Sequence, residues 1–328
     1  MKAYKPPFTI TEKILTLVSQ ISEYVVRLEM LELQNRAPTL RKTNKIKTIT
    51  GTLEIEGNAL GVEKITAIVE GKRVLGSMRE IAEVKGAIKV YDHLESFDYK
   101  DLDDLLAAHK MLMGEILTKA GTFRRTDVGV GDSKGVVHVA PPFMQVPNLM
   151  NDLFSWLKET EVHPLIKSSV FHYEFEFIHP FIDGNGRIGR LWQSLILHGW
   201  KSVFAYLPVE SVVRDAQGEY YDALERSGAL GESTPFVKFM LEAILTTCQK
   251  TLHEAENVPL TVPKNVPLKR LEKIIARIKE NRDITIDQLA TECDVSAKTI
   301  KRDIAKLKEQ GKIRRVGSLK SGHWEVIS

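Results

Sequence analysis

His179-Pro180-Phe181-Ile182-Asp183-Gly184-Asn185-Gly186-Arg187-Ile188-Gly189-Arg190 gathers a proton acceptor, a hard oxygen donor, a glycine-rich turn and two arginines into one short stretch. Glycines let the backbone adopt positive φ, so successive N–H groups can converge on an anion. The run Leu191-Trp192-Gln193-Ser194-Leu195-Ile196-Leu197 that follows reads as a helix. The glycines therefore fall at a helix N-terminus, where unpaired N–H groups and the dipole favour phosphate. Arg187 and Arg190 are three apart and project from one face of the first turns, as guanidinium forks for phosphate oxygens. Asp183 offers oxygen to Mg²⁺, which takes one or two carboxylates plus phosphates. His179 can accept a proton near neutral pH.

Other readings of these residues are weaker. Gly184, Gly186 and Gly189 have the dinucleotide-fingerprint spacing, and Phe171 to Ile178 partly alternates like a preceding strand. Pro180 interrupts that strand, and no βαβ unit with a later acidic residue is evident. No Gly-Lys-Ser/Thr follows, which excludes a P-loop. His172 and His179 lack the i, i+4 spacing of a helical zinc pair.

The stretch resembles the Fic family motif HPFx[D/E]GN[G/K]RxxR, matching at every defined position. The similarity runs from about residue 45 to 245. It implies His179 as general base, Asp183 as Mg²⁺ ligand, Gly184, Asn185 and Gly186 as the anion cradle, and Arg187 and Arg190 as phosphate clamps. The implied reaction moves AMP from ATP to a Ser, Thr or Tyr hydroxyl of a target protein.

Upstream, residues 9–34 read as an amphipathic helix carrying Ile14, Leu15, Val18, Ile21, Val25, Leu28 and Leu31. Lys42, Lys45 and Lys47 read as a solvated basic linker. Gly57 marks a helix stop, leaving Glu56 in a last turn, where a carboxylate opposes the dipole. Thr52-x-x-x-Glu56-Gly57 resembles the Fic inhibitory motif [S/T]xxxE[G/N]. That resemblance pairs Glu56 with Arg190, on the fork meant for the γ-phosphate.

Helices are expected over 63–71, 79–94, 101–117, 146–158 and 164–177. His109 lies on the apolar stripe of its helix and reads as a satisfied core histidine. Gly121 to Ala140 breaks the helical rhythm as a β-hairpin. It resembles the Fic flap, whose edge pairs with an extended target segment. Val128, Gly129, Val130 and Gly131 would then line the nucleotide and target cleft. Tyr220 and Tyr221 resemble the family's adenine and ribose contacts, although Ser227-Gly228 stands where some relatives have an Asn.

The chain has 328 residues, 43% hydrophobic and 27% charged, with a net charge of +3. This is an ordinary globular composition with room for two or three domains. Cys248 and Cys293 have no framework or metal spacing, which suits a reducing cytoplasm. No signal peptide, membrane span or repeat is read.

Past Pro259, Pro263 and Pro267 the composition changes. Helices from Leu268, Ile286 and Ala297, then two short strands around a Gly-Ser-Lys turn, resemble a winged helix-turn-helix. Residues 298–320 hold nine Lys or Arg against two Asp or Glu. Lys298, Lys301 and Arg302 are candidate DNA contacts, and protein docking is the competing use.

The expected fold is mainly α. It comprises an N-terminal helical region (1–95) with the inhibitory motif at 52–57, a Fic core (96–256) with its flap at 121–140, a Pro-containing linker (257–267) and a winged helix (268–328). The expected function is Mg²⁺- and ATP-dependent adenylyl transfer to a protein docked on the flap, restrained by Glu56. Two alternatives stay open: removal of AMP using Glu56 and a water, and a DNA-binding regulator with a weakly active core. The resemblance also implies a possible homodimer.

Overall fold

A computed structural model of the chain describes residues 4–33, 37–132, 135–257, 267–293, 295–316 and 322–327. Residues 258–266 of the expected linker and the wing turn at 317–320 lie outside these residues. Two compact units divide the chain, Met1–Val258 and Pro259–Ser328.

Among its described residues, the first unit is helical with one small antiparallel hairpin. Its helices are α1 (Glu12–Leu33), α2 (Ala37–Ile55), α3 (Gly61–Val69), α4 (Met78–Asp92), α5 (Leu102–Met113), α6 (Val146–Glu159), α7 (Pro164–Ile178), α8 (Asn185–His198), α9 (Val209–Asp215), α10 (Gln217–Leu230) and α11 (Thr234–Asn257). The hairpin is β1 (Gly129–Asp132) with β2 (Gly135–Val139). Val130 faces His138 in its register, which then slips by one residue before Gly131 pairs with Val136. For Val130 and Gly131 the description extends to this backbone register only.

α7 lies at the centre. Leu165, Val170, Phe171, Phe175 and Ile178 are all buried, so the helix is apolar on most of its circumference, as a helix covered on all sides must be. α8 packs along it through Ile188, Leu191, Trp192 and Leu195. α1 closes the bundle by laying Ile14, Leu17, Ile21 and Val25 against α11. Each such side chain contributes roughly 2 kcal/mol of burial. One continuous core thus joins the N-terminal helices to those carrying the motif.

The basic linker expected around Lys42, Lys45 and Lys47 is instead part of α2. Ile46, Ile49 and Leu53 recur at helical spacing and are buried. The intervening Thr and Lys residues dilute that stripe in the sequence. Lys47 bonds Glu254 at 2.7 Å, and Lys45 pairs with Asp92. A Cβ on Gly51 would sit 2.8 Å from the Glu210 backbone, so glycine is what lets α2 and α9 cross so closely. This crossing fixes the last turn of α2, which carries Thr52 and leads directly into Glu56.

The second unit holds α12 (Pro267–Glu280), α13 (Ile286–Glu292), α14 (Ala297–Glu309) and the antiparallel strands β3 (Ile313–Val316) and β4 (His323–Val326). Thr285 starts α13 with a capping box to Gln288, and Ser296 caps α14 by accepting from Thr299 N–H. Ile274, Ile278, Leu289, Ile300, Leu307 and Trp324 form its own core. A buried Arg270–Asp303 pair at 2.6 Å ties α12 to α14.

No helix among the described residues is long and apolar enough to cross a membrane.

Candidate active site

The motif is a loop between two buried helices, and its shape begins at His179. This residue ends α7 with φ 48° and ψ 61°, and it is the one non-glycine residue with positive φ among those described. Such a conformation costs about 1 kcal/mol or more and persists only where surroundings impose it. Arg124 imposes it here. Its buried guanidinium donates from Nε to His179 O at 2.8 Å, from Nη1 to Thr126 O at 2.9 Å, and from Nη2 to Pro141 O. Its own N–H donates to Pro180 O at 2.9 Å. Arg124 thereby joins the turn to both ends of the flap.

Asn185 and His109 shape the rest of the loop. Asn185 accepts from Phe181 N–H and donates to Phe181 O, both at 2.9 Å. Its side chain is consumed by the loop, which leaves its backbone N–H for an anion. His109 stacks on Phe181, with centroids 3.7 Å apart and planes 6° from parallel. Its Nδ1 accepts from Gly121 N–H at 2.8 Å, so Nε2 donates to Asp183 O at 3.0 Å. Burial lowers its pKa to about 4, which keeps this tautomer neutral. The stripe histidine of α5 is therefore a satisfied core residue that also fixes the motif backbone.

Gly184 caps α8 with φ 87°, a value glycine alone adopts freely. The first amides of α8, from Asn185 onward, have no carbonyl one turn back within the helix. Asp183 and Arg187 flank them. Asp183 Oδ1 accepts from Arg187 Nη2 at 3.0 Å, and Oδ2 accepts from Arg79 Nη2 at 2.7 Å. Arg187 Nη1 stands 3.4 Å from Glu83 Oε1, and Arg187 Nε is buried with no hydrogen-bond partner among the described residues. An orphaned guanidinium donor beside free helix-terminal amides fits an anion. No cluster of three His, Cys, Asp or Glu residues suited to a metal occurs among the described residues. Asp183 offers one hard carboxylate, which is sufficient for a Mg²⁺ ion that takes its other oxygens from phosphates and water.

The end of α2 reaches this turn. Gly57 has φ 84°, its N–H donates to Glu54 O, and Asn58 N–H donates to Leu53 O, forming a Schellman stop. Glu56 Oε1 accepts from Arg190 Nη2 at 2.6 Å. Arg190 also donates from Nε to Thr52 Oγ1 at 3.0 Å and from Nη2 to Thr52 O at 3.2 Å. A Cβ on Gly186 would collide with the Glu56 carboxylate, so that group lies directly against the first turn of α8.

Glu176 lies behind the loop. Its Oε2 is 3.9 Å from His179 Nδ1, and its buried Oε1 is 3.8 Å from His172 Nε2. Burial pushes the Glu176 carboxyl up to about 8; Arg190 opposes the shift and Glu56 adds to it. His172 is buried against Gln193 Oε1 at 2.6 Å and Tyr220 OH at 3.2 Å, and desolvation lowers its pKa to about 3. Of the tyrosine pair, Tyr220 is 2% exposed in this core and Tyr221 is 44% exposed. Tyr221 is the accessible ring of the pair.

Sequence reasoning missed Arg79, Glu83, Arg124 and Glu176. Each comes from outside the motif's defined positions, on α4, in the flap ahead of β1, or on α7. Glu176 carried a signal, as a carboxylate set, like Glu174, among the aromatic residues Tyr173, Phe175 and Phe177 of α7.

In the second unit, Lys298, Lys301 and Arg302 are exposed on the face of α14 opposite Ile300, Ile304 and Leu307.

The Fic/DOC family model matches residues 99–197, and a DeoR-like helix-turn-helix domain matches residues 270–321. The solved structure of a Fic family protein from Desulfovibrio desulfuricans G20 is 40% identical, covers 99% of this chain and 98% of its own, and superposes with a TM-score of 0.76. The protein adenylyltransferase Fic of Aedes aegypti is 29% identical over 242 residues, which is 68% of this chain and 46% of that protein. The protein adenylyltransferase fic-1 of Caenorhabditis elegans is 32% identical over 203 residues, 58% of this chain and 37% of that protein. This chain thus spans less than half the length of these curated relatives.

Proposed function

This chain belongs to the Fic family, and on that premise we propose that it transfers AMP from ATP to a Ser, Thr or Tyr hydroxyl of a target protein. The observation that carries this reading is the convergence of His179, the free amides of α8 and the Arg187 and Arg190 guanidinium groups on one turn.

His179 accepts the proton of the target hydroxyl. Its Nδ1 is on the Glu176 side, and Nε2 is the nitrogen that takes the substrate proton. The hydroxyl oxygen attacks the α-phosphorus, the bond to the bridging oxygen breaks, and pyrophosphate leaves. The N–H groups from Gly184 to Gly186, together with Arg187, hold phosphate oxygens in place. Catalysis on this account is positioning and electrostatics. Mg²⁺, held by Asp183, would neutralise phosphate charge. The edge of β1 pairs with an extended target segment, and Tyr221 stacks with the base.

The resting chain is autoinhibited. With Glu56 on Arg190, the guanidinium that should receive the γ-phosphate is occupied, and the carboxylate adds a negative charge beside the cradle. The Lys298, Lys301 and Arg302 face of α14 supports a second role in DNA binding through phosphate contacts.

The test uses Glu56→Gly protein with cell lysate as acceptor and ATP labelled on either the α- or the γ-phosphate. The reading expects protein-bound label from the α-position only. Label from the γ-position would indicate phosphorylation and contradict it.

A further inference from the structure

Both oxygens of Asp183 are held by guanidinium groups, and the two arginines differ. Arg187 is 3% exposed in its side chain and lies beside buried Glu83. Arg79 is 62% exposed, reaches Asp183 Oδ2 from the first turn of α4, and has Glu83 Oε1 at 3.3 Å from its Nε as its other partner among the described residues. The nearly buried arginine is part of the loop's framework. The exposed one leans over it from a helix outside the motif.

A divalent cation on Asp183 needs a carboxylate lone pair, and it is repelled by a guanidinium on the same group. Arg187 has little freedom to withdraw. Arg79 can turn into solvent while keeping Glu83. From this geometry we propose that Arg79 is the resident counter-cation of Asp183, occupying the place of Mg²⁺ until the metal arrives with ATP, and so setting how much metal the protein needs. The inference rests on the reading that Asp183 receives Mg²⁺ together with ATP. It adds a residue that opposes metal entry and yields to it.

The release takes place next to the inhibitory turn. Glu83, which holds Arg79 and stands beside Arg187, also accepts from Asn58 Nδ2 at 2.8 Å, two residues past Glu56. One buried carboxylate thus touches the metal latch, the phosphate clamp and the end of the inhibitory helix.

The experiment follows binding of a fluorescent ATP analogue to the full chain carrying Glu56→Gly, with and without Arg79→Ala. Mg²⁺ is titrated at fixed nucleotide, and a parallel series contains EDTA. A partly exposed ion pair is weak, so loss of Arg79 should lower the half-saturating Mg²⁺ by about threefold, with nucleotide affinity in EDTA unchanged within twofold. Damage to the site would raise the Mg²⁺ midpoint instead. An unchanged or raised midpoint overturns the proposal, as does weaker binding in EDTA, which would make Arg79 a phosphate ligand. If neither protein binds the analogue at saturating Mg²⁺, the nucleotide reading itself fails and the proposal fails with it.

Discussion

Glu56 Oε1 lies 2.6 Å from Arg190 Nη2, joining the turn that ends α2 to the first turns of α8 across 134 residues of sequence. The pair is anchored on one side only. Arg190 is buried and bonded twice to Thr52, whereas Glu56 retains partial exposure. The carboxylate is therefore the partner free to leave, and Arg190 stays in place to receive whatever replaces it.

Thr52 should matter to restraint as well as Glu56. Its hydroxyl accepts from Arg190 Nε, a hydrogen bond to a charged group worth about 1.5–3 kcal/mol. In Thr52→Val the arginine is held less firmly against Glu56. We predict AMP transfer between the wild-type and Glu56→Gly rates. A rate indistinguishable from wild type would show that Glu56 alone holds the fork.

Gly189 should tolerate no side chain. A Cβ there would lie 2.9 Å from Glu176 Oε1 and 3.0 Å from His172 Cδ2, both on the buried face of α7. Gly189→Ala forces α7 and α8 apart and should cost about 1–3 kcal/mol. Calorimetry should show a melting temperature several degrees lower. An unchanged value would mean that the two helices can shift without loss.

His109→Ala removes a ring stack and two hydrogen bonds that fix the Asp183 carbonyl and Gly121. We predict a stability loss on the order of 2–4 kcal/mol, measured by urea unfolding. AMP transfer in the Glu56→Gly background should fall about tenfold or more, because Asp183 and the cradle share that backbone. Full activity with reduced stability would make the loop's geometry independent of its support.

Glu176 and His172 give stability opposite pH slopes. The Glu176 carboxyl is raised from 4.5 to about 8, so its contribution is complete below pH 4.5 and is lost as pH rises through 8. His172 is lowered from 6.5 to about 3, so its contribution is present above pH 6.5 and is lost as pH falls towards 3. His109, lowered to about 4, acts in the same direction. Glu176→Gln should therefore gain stability relative to wild type at pH 8.5, by an amount on the order of a few kcal/mol, and show little difference at pH 4.5. Melting curves at the two pH values decide this. A Gln variant that is less stable at both would mean the carboxylate is ionised in the fold.

The candidate site was legible as one turn because its residues are local: His179, Asp183, Gly184, Gly186, Arg187 and Arg190 share one stretch, and spacing alone puts them on a loop entering a helix. The hairpin was legible from glycine and β-branched residues, and the winged unit from its caps at Thr285 and Ser296. α2 was misread over Lys42 to Lys47, because a helix whose exposed faces are Thr and Lys carries a thin apolar signal. What the sequence hid are the supports. Arg124, Arg79 and Glu83 approach the loop from segments up to about a hundred residues away, and no local pattern says that a buried arginine will cap a left-handed histidine. Tyr220 and Tyr221 are adjacent in sequence, and only packing against His172 and Phe236 decides which of them is core.

The most direct measurement is the transfer of label from α-phosphate-labelled ATP to protein by wild type, Glu56→Gly, and Glu56→Gly with His179→Ala, under equal Mg²⁺ and with the same lysate acceptors. A charged hydrogen bond of the Glu56–Arg190 kind is worth a factor of roughly ten or more. The account predicts at least that gain on removing Glu56, and loss of the signal when His179 is also removed. A gain of twofold or less would contradict the restraint by Glu56. Label persisting without His179, or absent from all three proteins, would contradict the adenylyl-transfer reading.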